Sequence, residues 1–212
     1  TYALFANTTG SNNTADGVSA LQNNTTGEYN TGLGRGAGYS NTTGNNNTFV
    51  GLFAGCANTT SSYNVGVGRY ALCGATGSLN TAVGNRALQC STGGCNTAIG
   101  LNSLADNTSG TKNTASGYYA LADNTTASQN TANGFFALRR NTTGSENTAF
   151  GTCTLFCNVS GSCQVAVGHN SLFNNTCGHR NTATGAYALN ANTTGSFNTA
   201  SGYMALYSNT TA

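Results

Sequence analysis

The chain repeats itself every 17 residues, and a short fixed period restricts it to folds in which each repeat is one unit stacked on its neighbours. An Asn-Thr-Ala-x-Gly phrase sets the register. Its first residue, the anchor, falls at Asn13, Asn30, Asn47, Asn64, Asn80, Asn96, Asn113, Asn130, Asn147, Gln164, Asn181 and Asn198, so nine intervals are 17 residues and two are 16. Four places on, a Gly never varies from Gly17 to Gly202. Such a column implies a tight bend with positive φ, or a neighbouring backbone too close for a Cβ. Seven and eight places on, a small residue precedes Leu, as in Ala20-Leu21, Ala71-Leu72, Ala137-Leu138 and Ala188-Leu189, and this Leu column is the expected core. Eleven places on stands Asn-Thr-Thr-Gly, whose composition is that of a turn. Both 16-residue repeats lose their residue there, at Gly74 to Gly77 and Ser91 to Gly94, which marks the segment as a surface return loop.

Helical solenoid repeats need about 33 to 47 residues and leucine-rich repeats about 20 to 29, so this unit is too short for either. Asn, Thr, Gly and Ser dominate, and apolar positions are too sparse for a helical face. The sequence predicts an all-β fold: a β-solenoid or β-roll of about twelve rungs, stacked in parallel and in register as a single array over 1–212. Each rung is expected to hold one strand near the anchor phrase and a second through the Ala-Leu pair. Stacking turns each column into a ladder, and the anchor Asn column predicts a ladder of side-chain amides. The Thr beside it suits a β-surface. Three places after the anchor the residue reads Leu33, Val50, Val67, Val83 and Ile99, then Ser116 and Asn133, then Phe150 and Val167, then Thr184 and Ser201. Apolar and polar blocks in one column predict an outward column that in part meets another subunit.

Only 6% of the chain is charged and its net charge is +2, with the basic residues scattered, so the electrostatic footprint of a nucleic-acid binder is missing. No stretch approaches the roughly 18 apolar residues of a membrane span, and no signal peptide is visible. His169 and His179 are the only histidines, and no nucleophile elbow, phosphate loop or zinc-binding helix motif is present. Cys177, Gly178 and His179 form a corner with only two ligands, for which a disulfide and a surface His is the simpler reading. The acids Asp16, Glu28, Asp106, Asp123 and Glu146 suggest neither a paired-carboxylate site nor a calcium-binding roll. A non-catalytic chain without metal or cofactor is expected. Rings at Phe53, Tyr70, Tyr118, Tyr119, Phe135, Phe136, Tyr187 and Tyr203 follow the Gly column, either to stack on sugars or a partner or to cover the edge of a thin core.

The eight cysteines read as disulfides and hence an oxidising compartment. Cys90 with Cys95, and Cys157 with Cys163, flank return loops at corresponding columns. Cys56 and Cys73 share one column in consecutive rungs, where a spacing near 4.8 Å suits a disulfide. Cys153 and Cys177 are the remaining pair. Asn-x-Ser/Thr sequons at Asn7, Asn24, Asn41, Asn58, Asn107, Asn124, Asn141, Asn158, Asn192 and Asn209 are either glycosylation acceptors along one edge or turn chemistry that matches the sequon by accident.

The phrases Asn80 to Gly84 and Asn96 to Gly100, with their small residues and Gly/Ser/Asn-rich returns, resemble the head repeats of trimeric autotransporter adhesins and related repeats of phage tail fibres. The resemblance spans essentially the whole chain. It implies a β-roll in which three chains associate side by side and project from a cell or virion to attach to a surface. The longer period, the Asn-Thr-Thr-Gly segment and the cysteines depart from that pattern.

The repeat runs past both ends without a capping rung, which suggests a segment of a longer fibre or a unit that stacks end to end. The expected function is an extracellular structural or adhesive fibre: a surface filament, an adhesin stalk or a tail-fibre-like rod. Its partners would be copies of itself, as a trimer or filament, together with surface glycans. An ice-binding Thr-ladder solenoid is the alternative, although Val65 and Val165 interrupt the Thr column.

Overall fold

The computed structural model describes residues 1–211, which fall into two compact units, Thr1–Asn102 and a second from Ser103 onward. Each unit is a β-solenoid with one three-residue strand per repeat and no helix among the described residues. The first holds β1 (Thr14–Asp16), β2 (Thr31–Leu33), β3 (Thr48–Val50), β4 (Val65–Val67), β5 (Thr81–Val83) and β6 (Thr97–Ile99). The second holds β7 (Thr114–Ser116), β8 (Thr131–Asn133), β9 (Thr148–Phe150), β10 (Val165–Val167), β11 (Thr182–Thr184) and β12 (Thr199–Ser201). Within a unit each strand pairs in parallel with the next in chain order. The register joins equal columns, as in Thr31↔Thr48, Gly32↔Phe49 and Leu33↔Val50. The predicted fold class is the one observed.

The rung itself differs from expectation, because the Ala-Leu pair is no strand. Leu72, Leu121 and Leu155 have φ of 54°, 52° and 52°, so the chain bends at the Leu while its side chain stays buried. Two more bends of this kind occur per rung, one before the Ala (Phe53, φ 53°; Tyr70, φ 58°) and one before the anchor (Tyr63, φ 61°; Gln129, φ 61°). A non-glycine residue in this left-handed region costs roughly 1–2 kcal/mol. Each bend turns an N–H onto an adjacent rung, which offsets that cost: Phe53 donates to Arg35 O at 2.9 Å, Leu72 to Ala87 O at 3.1 Å, Tyr63 to Asn45 O at 3.0 Å. At the invariant Gly column both anticipated reasons apply. Gly51 has φ of +127°, and a Cβ there would stand 2.7 Å from Gly68 O.

The interior is built from amides as much as from aliphatic groups. The anchor Asn forms less of an amide ladder than a backbone clamp: Asn30 Oδ1 accepts from Asn47 N–H at 3.0 Å, and Asn30 Nδ2 donates to Gly44 O at 2.8 Å. The amide ladder proper runs through the Asn of Asn-Thr-Thr-Gly. Asn24 Nδ2 donates to Asn7 Oδ1 (2.8 Å), Asn41 to Asn24 (2.7 Å) and Asn58 to Asn41 (2.8 Å), and the second unit repeats this from Asn124 to Asn107 (2.7 Å) up to Asn192 to Asn175 (2.9 Å). Each of these amides also donates to the carbonyl three residues on, as Asn41 does to Gly44 O at 3.0 Å. Gly44 O therefore takes two amide donors, one from each Asn column, and fills both acceptor sites. The segment expected as a surface loop has a buried polar floor, with only its Thr residues facing outward.

One rung packs differently. Phe49 occupies the inward column filled elsewhere by Ala or Gly, and it is fully buried. Room comes from glycines: Gly38 and Gly55 replace Leu in its own and the preceding rung, and Gly32 and Gly66 replace the Ala on either side. A Cβ on Gly55 would lie 2.3 Å from the Phe49 ring, and one on Gly38 2.9 Å from it. One ring thus fills the space of two leucines. Phe49→Ala should lower stability by about 3–5 kcal/mol, the usual cost of truncating a buried Phe. Adding Gly38→Leu and Gly55→Leu should recover much of the loss, since Leu already tolerates positive φ in this column. Thermal melts of the single and triple variants would check both.

Candidate interaction face

Alternation along each strand points the middle residue inward and its two neighbours outward. Ala82, Ala98, Ala115 and Ala132 are fully buried, whereas Val83 and Ile99 keep 38% and 44% of their surface. In the first unit the outward column carries Leu33, Val50, Val67, Val83 and Ile99 in five consecutive rungs, beside Thr31, Thr48, Val65, Thr81 and Thr97. Asp16 is the one charge in these two columns of that unit. The anticipated outward column is therefore present as a two-column ladder of Thr and aliphatic side chains. In the second unit the apolar part shrinks to Phe150, Val165 and Val167, flanked by Ser116, Asn133, Thr184 and Ser201.

The bend after the Gly column gathers rings. Tyr118 stacks on Phe135 (5.2 Å between centroids, 8° between planes) and Phe156 on Phe173 (5.2 Å, 4°), while Arg139 lies over Tyr119 and Phe136 at 5.1 and 4.9 Å. In the first unit Phe53 stacks on Tyr70 with Arg69 over the latter at 5.0 Å. Stacked neighbours spend their faces on each other, while Tyr118, Phe135 and Tyr203 keep 41%, 46% and 72% of their surface exposed. Phe156 and Phe173 belong to the same cluster and were not among the expected rings.

A cleft of about 350 Å³ lies among Ser162, Cys163, His179, Arg180, Ser196 and Phe197. His179 replaces a Ser or Asn in a column whose side chains accept the preceding rung's N–H. It does the same through Nδ1, which accepts from Ser162 N–H at 3.0 Å and leaves the proton on Nε2. Cys163 donates to Glu146 Oε2 at 3.4 Å, and this hydrogen bond, with burial and the carboxylate charge, pushes its thiol up, away from a reactive thiolate. The chemistry available here is polar contact. No group of three or more His, Cys, Asp or Glu side chains suited to a metal is found among the described residues.

The structure bears on two expectations about modification. Asn24, Asn41, Asn58, Asn107, Asn124, Asn141, Asn158 and Asn192 are buried, with Nδ2, the atom a glycan would occupy, donating inside the ladder. A sugar on any of them would break the rung, so the sequon there is turn and ladder chemistry. Asn7 and Asn209, at the outer rungs, are half-buried and donate in the same way. In this structure no disulfide joins Cys157 to Cys163 or Cys153 to Cys177, and Cys56 and Cys73 are present as separate thiols. Cys163 points to Glu146, and Cys177 accepts from Thr176 Oγ1 at 3.8 Å. Cys56 and Cys73 do meet, with Cys56 Sγ 3.3 Å from Cys73 O.

Asp106 and Asp123 were not anticipated as neighbours, yet both stand ten places after their anchors and so stack in adjacent rungs. No family model, curated protein or solved structure matches the chain.

Burial pushes the Asp123 carboxyl up, Arg139 opposes it, Asp106 adds to the rise and Arg140 opposes it. A folded-state value above the unfolded one means that folding disfavours the ionised form. This penalty is absent below the unfolded value near 3.9 and develops as pH rises through the folded value. Asp123→Asn should therefore raise the melting temperature at neutral pH and lose that advantage in acid, as melts across pH would read.

Proposed function

We propose that this protein is a non-catalytic structural component of an extracellular fibre, on a cell or virion surface, whose chains associate side by side through the outward strand face. The observation that carries this reading is the ladder Leu33, Val50, Val67, Val83 and Ile99: five aliphatic side chains in register, partly exposed, in a setting almost free of charge. A surface that repeats every rung, at about 4.8 Å, is matched best by another surface with the same rise, and a second copy of the chain supplies one. The resemblance of the anchor phrases to adhesin head and tail-fibre repeats points the same way and suggests three chains. Surface glycans are the ligand class such a fibre would meet.

A second reading, ice binding, is favoured by the Thr column beside that ladder, with Thr31, Thr48, Thr81 and Thr97 outward on parallel strands in register. Against it, Val65 and Val165 break the column. Sedimentation velocity separates the two. The wild-type chain should sediment as an oligomer, and Val67→Lys with Val83→Lys should yield a monomer with an unchanged circular dichroism spectrum. A monomeric wild type that produces thermal hysteresis at micromolar concentration would favour the ice-binding reading instead.

A further inference from the structure

The amide ladder of the first unit stops at one rung junction. Asn58 donates onward to Asn41 and to Ser61 O, but its own Oδ1 is buried without a hydrogen-bond partner. The cause lies in the next repeat, one of the two with 16 residues, where Ala75 stands in the ladder column and has no donor to offer. Two residues before each of these positions stand Cys56 and Cys73, in one column and in the same two rungs. They are the only cysteines in the chain that share a column in consecutive rungs.

We infer that Cys56 and Cys73 form a reversible disulfide staple, made by exchange with a small-molecule disulfide, that holds the two rungs together where the amide ladder is broken. In-register parallel rungs set equivalent Cα atoms about 4.8 Å apart, inside the roughly 4.4–6.8 Å range that a disulfide spans. Both thiols are half-buried, so a small reagent reaches them, and the two residues meet, with Cys56 Sγ donating to Cys73 O at 3.3 Å. The hydrogen bond from Cys73 pulls the Cys56 thiol down to about 7, whereas the same bond, burial and the Cys56 charge push Cys73 up. Cys56 is therefore the attacking thiolate and Cys73 the resolving thiol.

The exchange balances in two steps. Cys56 thiolate attacks one sulfur of the reagent, the reagent's S–S bond breaks, and one thiolate leaves as the mixed disulfide forms. With the Cys56 charge gone, Cys73 gives up its proton to solvent and attacks the Cys56 sulfur, expelling the second thiol. One disulfide is reduced to two thiols while the Cys56–Cys73 pair loses two electrons. The closed loop spans one rung, and the staple does not depend on the fibre reading.

The test treats the full chain with oxidised glutathione, blocks remaining thiols and digests with trypsin. Cleavage at Arg35, Arg69 and Arg86 places Cys56 and Cys73 on separate peptides, 36–69 and 70–86, so the staple appears as their cross-linked mass. Cys73→Ser should stop at a glutathione adduct on Cys56. Hydrogen exchange reads the consequence at Gly55 and Ala57, whose amides cross this junction to Ala71 O and Cys73 O at 2.9 and 2.8 Å. Oxidation should slow both on the order of thirtyfold, the lower end of what a disulfide supplies. Ala75→Asn, which restores a ladder donor, should slow them in the reduced protein and shrink the effect of oxidation. Absence of the cross-link, or a stable glutathione adduct on wild-type Cys56, would overturn the staple. A cross-link that leaves Gly55 and Ala57 unchanged would overturn its role at the broken ladder.

Discussion

The fold depends on a carbonyl oxygen that accepts two amides. In a regular rung the carbonyl closing Asn-Thr-Thr-Gly takes one Nδ2 from the anchor Asn and one from the ladder Asn, while both Asn oxygens are reserved for a neighbouring rung. Buried polar groups are tolerable only when satisfied, and here half of the satisfaction comes from the rung alongside. A single rung would bury unpaired amides and little hydrocarbon. Stability consequently resides between rungs, and the Leu and Ala columns supply a thin apolar seam beside the amides rather than a core of their own.

An interior so heavily specified leaves the exterior columns free. The residue before the anchor is Tyr29, Tyr63 or Leu79 in one unit and Lys112, Glu146 or Arg180 in the other, on backbone bends of one kind, with φ from +54° to +63°. Outward strand positions pass from Asp16 through Val83 to Ser201 without a change of strand length or pairing. Surface chemistry and fold are thus nearly independent in this chain. Whatever the molecule recognises is written on side chains that the stack does not need.

Much of this was legible in the sequence, because a period exposes columns directly: the in-register stack, the Gly bend, the Leu core and the outward apolar column all follow from counting. The rest was hidden for physical reasons. Positive φ at Phe53, Leu72 and Tyr63 leaves no trace in residue type, since the favourable hydrogen bonds to the next rung allow ordinary side chains there. Asn41 and Gly44 are spelled like a surface turn, and only the stacked structure shows that the turn folds its Asn inward. Among the cysteines, Cys56 and Cys73 alone share a column in consecutive rungs, which counting along the sequence already exposes. The same criterion would have paired Asp106 with Asp123.

Repetition also carries a hazard, since any rung matches any other and a chain can pair one whole repeat out of step without exposing a single misplaced column. Phe49 removes that degeneracy. Its ring is accommodated only between Gly32 and Gly66 and against Gly38 and Gly55, so a pairing slipped by one repeat would drive it into Ala or Leu. In an array of near-synonyms this rung is the one that knows its own address.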